Sequence, residues 1–133
     1  MKELMIEAKI EKLDVVLDFV SAELEAVDCS MKLQMQITVA VEEIFVNIAH
    51  YAYDPEEGDV MIRVTVGDEV IIEFEDSGKP YNPLEKSDPD IAASLEEREI
   101  GGLGIFMVKN IMDAVDYRYE AEKNILLIKK VIM

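Results

Sequence analysis

At 133 residues, half of them hydrophobic, the chain is long enough for one domain with a real core, and its composition excludes disorder. A net charge of -16 repels nucleic-acid backbones and anionic membrane surfaces, which leaves proteins as the expected macromolecular partners. The single cysteine, Cys29, excludes an intrachain disulfide and a thiolate metal site and points to the cytoplasm.

From the N-terminus, Met1 to Glu7 interleaves charges with apolar residues instead of building a signal-peptide run, and no stretch approaches a membrane span. Leu4, Ile6, Ala8 and Ile10 alternate with Met5, Glu7 and Lys9, which predicts a half-buried strand. Leu13, Val16, Leu17, Val20, Leu24 and Val27 then recur at helical spacing. Ser30 is placed to cap a second, longer helix whose apolar stripe is Leu33, Ile37, Ala40, Val41, Ile44, Phe45 and Ile48, ended by Asp54-Pro55-Glu56-Glu57-Gly58.

Strands over Val60–Val66 and Val70–Glu75 are expected to join in a hairpin around Gly67-Asp68. Strand parity puts Asp76 on the face of Val70, Ile72 and Phe74, toward the covering layer. From Ser77 to Ile100 the period is lost among Pro80, Pro83 and Pro89, which predicts a long mobile segment with one short helix after Ser87. Helical spacing returns at Ile105, Val108, Ile111, Met112 and Val115. Two strands close the chain, with Tyr117, Tyr119 and Ala121 on one face of the first, a turn at Lys123-Asn124, and Ile125 to Met133 last. The sum is an α+β two-layer sandwich, a mostly antiparallel sheet with helices on one face, forming a single domain over residues 1–133.

Three motifs carry chemistry. Glu43 and Asn47 stand at i and i+4 on one helix face: an Asn oxygen is a hard, neutral ligand suited to Mg²⁺, and a carboxylate one turn earlier can accept a proton. The same spacing alone also fits two polar residues on a solvated face, and His50 alone fits a helix cap or core edge. Asp76-Ser77-Gly78-Lys79-Pro80 fits a plain turn; it also fits a carboxylate accepting a hydrogen bond from an exocyclic amine such as adenine's, with Gly78 letting backbone approach the ring. Gly101-Gly102-Leu103-Gly104 opens a helix, where free N–H groups and the positive helix end make an anion site. No Gly-Lys-Ser/Thr follows it, and no parallel βαβ unit surrounds it, so it is neither a Walker loop nor a dinucleotide fingerprint.

In order and spacing, Ala40 to Tyr53, Asp76 to Pro80 and Gly101 to Asp113 resemble the N, G1 and G2 boxes of the GHKL, or Bergerat-fold, ATP-binding superfamily, and within it the anti-sigma-factor serine/threonine kinases. The resemblance implies ATP and Mg²⁺ as ligands. Asn47 would coordinate the metal, Glu43 would be the base at the γ-phosphate, and Asp76 with Gly78 would read adenine. Gly101, Gly102, Leu103 and Gly104 would form the phosphate loop, and residues 77–100 the lid. Family members often place an Arg just before the glycines; here Ile100 holds that position and Arg98 is the nearest cation, the candidate for the γ-phosphate. The implied function is a cytoplasmic kinase, active as a homodimer, that phosphorylates an antagonist protein and sequesters a sigma factor. The alternative is a catalytically silent ATP-binding module whose nucleotide state controls partner binding.

Overall fold

The structure, a computed structural model, describes residues 1–53, 58–85 and 102–132. Strand β1 (Lys2–Glu7) is followed by helices α1 (Leu13–Glu25) and α2 (Met31–Tyr51), the hairpin β2 (Asp59–Val66) and β3 (Glu69–Asp76), helix α3 (Gly102–Ile111), and the hairpin β4 (Ala114–Glu120) and β5 (Lys123–Val131). The five strands form one sheet in the order β1-β2-β3-β5-β4, and every neighbouring pair is antiparallel. The chain is the α+β sandwich that its periodicities predict.

Helix α2 lies between α1 and α3 and carries the largest share of the helical core. Its start follows from chemistry: Ser30 is extended, and its hydroxyl accepts from Leu33 N–H at 3.3 Å, which satisfies one of the free donors of the first turn. Ile37, Ala40, Val41, Ile44 and Phe45 project into a core closed by Val60, Ile62 and Val64 of β2, Val70, Ile72 and Phe74 of β3, and Leu126 and Ile128 of β5. Phe45 and Phe74 are completely buried, each burial removing apolar area whose transfer stabilises the fold by about 2–3 kcal/mol. At the other end of the sheet, Lys130 Nζ on β5 donates to the Ile111 carbonyl at 2.5 Å and so satisfies an open acceptor at the end of α3.

Three boundaries differ from the sequence expectations. Strand β1 ends at Glu7: Ala8 N–H still bonds in register to the Gly58 carbonyl at 2.9 Å, but Lys9 N–H turns back to the Glu7 carbonyl at 2.8 Å and Ile10–Lys12 folds into a 3-10 turn. Val115 belongs to β4 instead of the preceding helix, its apolar side chain serving a strand that packs on the same core. The β4–β5 turn lies at Ala121-Glu122, not Lys123-Asn124: these two residues take φ of 53° and 64°, the left-handed pair that a two-residue hairpin requires, and Asn124 is drawn into β5. A 3-10 turn forms at Pro83–Glu85, and the short helix expected after Ser87 lies outside the described residues.

Candidate functional site

The strand and helix ends meet around one cleft between α2 and the sheet. Ile44, Asn47, Ile48, Tyr51 and Ala52 line it from α2 and its C-cap, Asp76 from the end of β3, Lys79, Tyr81 and Pro83 from the segment after it, and Tyr117, Asn124 and Leu126 from the last hairpin. Three polar side chains among the described residues are buried, Asn47 (9% exposed), Asp76 (6%) and Asn124 (6%), and all three face this cleft. Buried polar groups normally come paired, so their convergence marks the site.

Asn47 is the exception to pairing. Its Oδ1 is buried with no hydrogen-bond partner, the one such side-chain atom among the described residues. An acceptor held this way costs about 1–3 kcal/mol unless something binds to it. Glu43, one turn earlier on α2, is half-buried and does not line the cleft among its described walls. Burial first, and repulsion from Glu42 second, hold its carboxyl above the usual carboxylate range. His50 is exposed in the last turn of α2, with its ring beside Tyr51, and it is not among the residues that line the cleft.

Asp76 lies on the inward face of β3. Its Oδ1 accepts from Gly78 N–H at 2.9 Å and from Asn124 Nδ2 at 3.0 Å. Burial pushes its pKa up, and these two donors partly offset the shift. Gly78 has a structural reason to be glycine: a Cβ there would overlap the Ala52 carbonyl at the end of α2. Next to it, Ser77 N–H donates to Tyr53 Oη at 2.8 Å, and that hydroxyl donates to the Asp59 carbonyl at 2.7 Å, tying the turn to α2 and to the start of β2.

Gly102, Leu103 and Gly104 begin α3, as the glycine-rich motif predicts; Gly101 and Arg98 lie outside the described residues. Asn124 is the polar group that the sequence reading missed. Once the turn is shifted, parity would have found it, since Asn124 is the polar residue among the inward positions Leu126 and Ile128. Among the described residues, no helix is long and apolar enough to cross a membrane.

The family described as the histidine kinase-like ATPase domain matches residues 6–130. The serine/threonine-protein kinase BtrW of Bordetella bronchiseptica is 28% identical over 92 residues, which is 67% of this chain and 64% of that protein. The anti-sigma F factor of Clostridium perfringens is 28% identical over 113 residues, covering 84% of this chain and 81% of its own. This chain thus spans just under two thirds of the Bordetella relative. A solved structure of the RsbU and RsbW domains of Rv1364c from Mycobacterium tuberculosis matches 99% of this chain and 33% of its own with a TM-score of 0.67 at 14% identity, a likeness of fold.

Proposed function

The chain belongs to the histidine kinase-like ATPase domain family, and on that premise we propose that it binds ATP in the cleft beside α2 and transfers the γ-phosphoryl group to a serine or threonine of an antagonist protein. The observation that carries this reading is the buried, unpartnered Oδ1 of Asn47 in the same cleft as the buried carboxylate of Asp76. The first is an open acceptor suited to a cation; the second has the chemistry to accept from an exocyclic amine.

Mg²⁺ fits the donor set. The buried, unpartnered Asn47 Oδ1 is a hard, neutral oxygen of the kind Mg²⁺ accepts beside waters and substrate phosphates. Asn47 Oδ1 would hold it, and when bound it would supply charge neutralisation at the phosphates. Asp76 would orient the adenine by accepting from its amine, which disfavours a base with a carbonyl at that position. Gly101, Gly102, Leu103 and Gly104 would offer backbone N–H groups to the phosphates at the start of α3, and Arg98 a charge. Glu43 would take the proton of the attacking hydroxyl as its oxygen bonds to the γ-phosphorus and the bond to the β–γ bridging oxygen breaks, releasing ADP. The raised pKa of Glu43 suits a proton acceptor of this kind.

Residues 77–100 would be the lid over the nucleotide, of which 86–100 lie outside the described residues. The likeness to an anti-sigma F factor supports a protein that would hold a sigma factor; we propose further that it would do so as a cytoplasmic homodimer until the antagonist intervenes. Incubation with Mg²⁺, ATP and candidate antagonists followed by mass spectrometry tests the reading. Phosphoserine or phosphothreonine on one candidate is the expected result; ATP binding without transfer to any would leave a binding module, and no ATP binding would overturn the assignment.

A further inference from the structure

We propose that Asn124 is a positioning residue for nucleobase choice: it orients the carboxylate of Asp76 and pins the strap of residues 79–83 that closes over it. The proposal rests on the ATP reading above and extends it to a residue that acts through Asp76.

The sheet supplies the geometry. In the antiparallel pairing of β3 with β5, Asp76 and Asn124 are directly opposite each other, so both side chains rise from the same face with Cβ atoms about 5 Å apart. The Asn124 amide uses its whole hydrogen-bonding capacity. Nδ2 donates to Asp76 Oδ1 at 3.0 Å and to the Lys79 carbonyl at 2.8 Å, with the Gly78 carbonyl at 3.4 Å. Oδ1 accepts from Tyr81 N–H at 3.1 Å and from the Tyr117 hydroxyl of β4.

This pattern selects the residue type. Acceptors crowd one side of the amide and donors the other, so only a side chain that is donor at one end and acceptor at the other satisfies both. A carboxylate at this position would face Asp76 and two carbonyls, and an aliphatic group would leave them buried and unpaired.

Two consequences follow for the ligand. Both hydrogen bonds to Asp76 fall on Oδ1, so Oδ2 is left for the exocyclic amine of the base. The same amide also fastens the backbone of Gly78, Lys79 and Tyr81, whose ring stacks on Tyr51 of α2 at 5.8 Å between centroids and walls the cleft. Carboxylate angle and cleft width are thereby set from one side chain.

The test is calorimetry of Mg-ATP and Mg-GTP binding across pH for the unmodified protein, Asn124→Ala and Asn124→Asp, with circular dichroism to establish folding. The titratable side chains around the pair are Tyr51 from α2 and Tyr53 just after it, Asp59 from β2, Glu75 from β3, Lys79 and Tyr81 from the strap, Tyr117 from β4 and Lys123 from β5. Asn124→Ala should cut the ATP-over-GTP preference about tenfold, the scale of one hydrogen bond to a charged group. Asn124→Asp should reverse the pH slope. The unmodified protein loses ATP affinity on acidification as Asp76 takes up a proton, whereas two facing carboxylates repel at neutral pH and share a proton in acid, so this variant should bind better as pH falls.

A folded Asn124→Ala variant with unchanged preference would overturn the proposal while leaving the adenine reading intact. Should that variant fail to fold, the near-isosteric Asn124→Asp decides: a pH slope like that of the unmodified protein sinks the proposal. Equal ATP and GTP affinity in the unmodified protein would overturn both.

Discussion

Gly78 packs its backbone directly on the carbonyl of Ala52, and Lys79 N–H donates to that same oxygen at 2.8 Å. Ala52 is the C-cap of α2, so one contact satisfies an open acceptor of the helix and fixes the exit of β3 against it. Asn47 stands near that helix end and Asp76 just before that exit; the two buried polar groups are held in relation to each other through backbone, independent of any ligand.

Gly78→Ala should therefore be costly. The added Cβ meets backbone, which cannot rotate away, and the turn must lift off α2, destabilising the protein by about 1–3 kcal/mol. Gly67→Ala is the control, since nothing lies within 4 Å of its Cβ, and it should stay within about 0.5 kcal/mol. Urea unfolding of the two variants compares them; equal stability would show that the close approach does not constrain the turn.

Asn47 should display a conflict between stability and function. Asn47→Leu removes the unpartnered buried oxygen, so ligand-free protein should gain about 1 kcal/mol or more in unfolding free energy. Mg²⁺-dependent ATP binding should be lost in the same variant. Thermal melts with and without Mg-ATP read both effects at once, and a variant less stable than the parent without ligand would mean that the oxygen has a partner.

Glu43 should separate binding from chemistry. Glu43→Ala should keep ATP affinity within a few-fold and lower phosphoryl transfer by about 10²-fold or more. Glu42→Gln removes the like charge that helps to raise Glu43, so the acid limb of the transfer rate should move to lower pH. Single-turnover rates against pH measure this. An acid limb unmoved by Glu42→Gln would detach the proton acceptor from Glu43.

Asp76 sets a pH dependence of stability. Burial raises its folded pKa above the ordinary 3.8, so the folded state binds this proton more tightly than the unfolded chain. The group's contribution to stability is present below 3.8 and is lost as pH rises through the raised folded value. Asp76→Asn should flatten the melting temperature across that window and raise it at neutral pH. Melting curves at stepped pH decide it, and an unchanged slope would show that Asp76 is not the titrating group.

Local pattern was enough for much of this protein. Ser30 capped α2 where the apolar stripe began, because capping is a contact between neighbours three residues apart. The inward aim of Asp76 followed from its parity with Val70, Ile72 and Phe74, since side chains alternate along any strand. Asn47 could be marked as polar beside an apolar stripe, but its unpartnered burial could not, because burial depends on what the sheet brings over it. The last hairpin is not legible for a different reason: Ala121 and Glu122 adopt positive φ without the Gly or Asn that usually announces it, and the residue pattern places the turn two residues late.

Composition, periodicity and motif order by themselves determined the two-layer α+β class and the family resemblance, because each is written in residues close together along the chain. Only the tertiary structure decided which polar groups meet. Asp76 and Asn124 stand 48 residues apart and become opposite neighbours solely because β5 inserts between β3 and β4. Strand order is chosen by how the whole hydrophobic face is covered, and no local spacing records that choice.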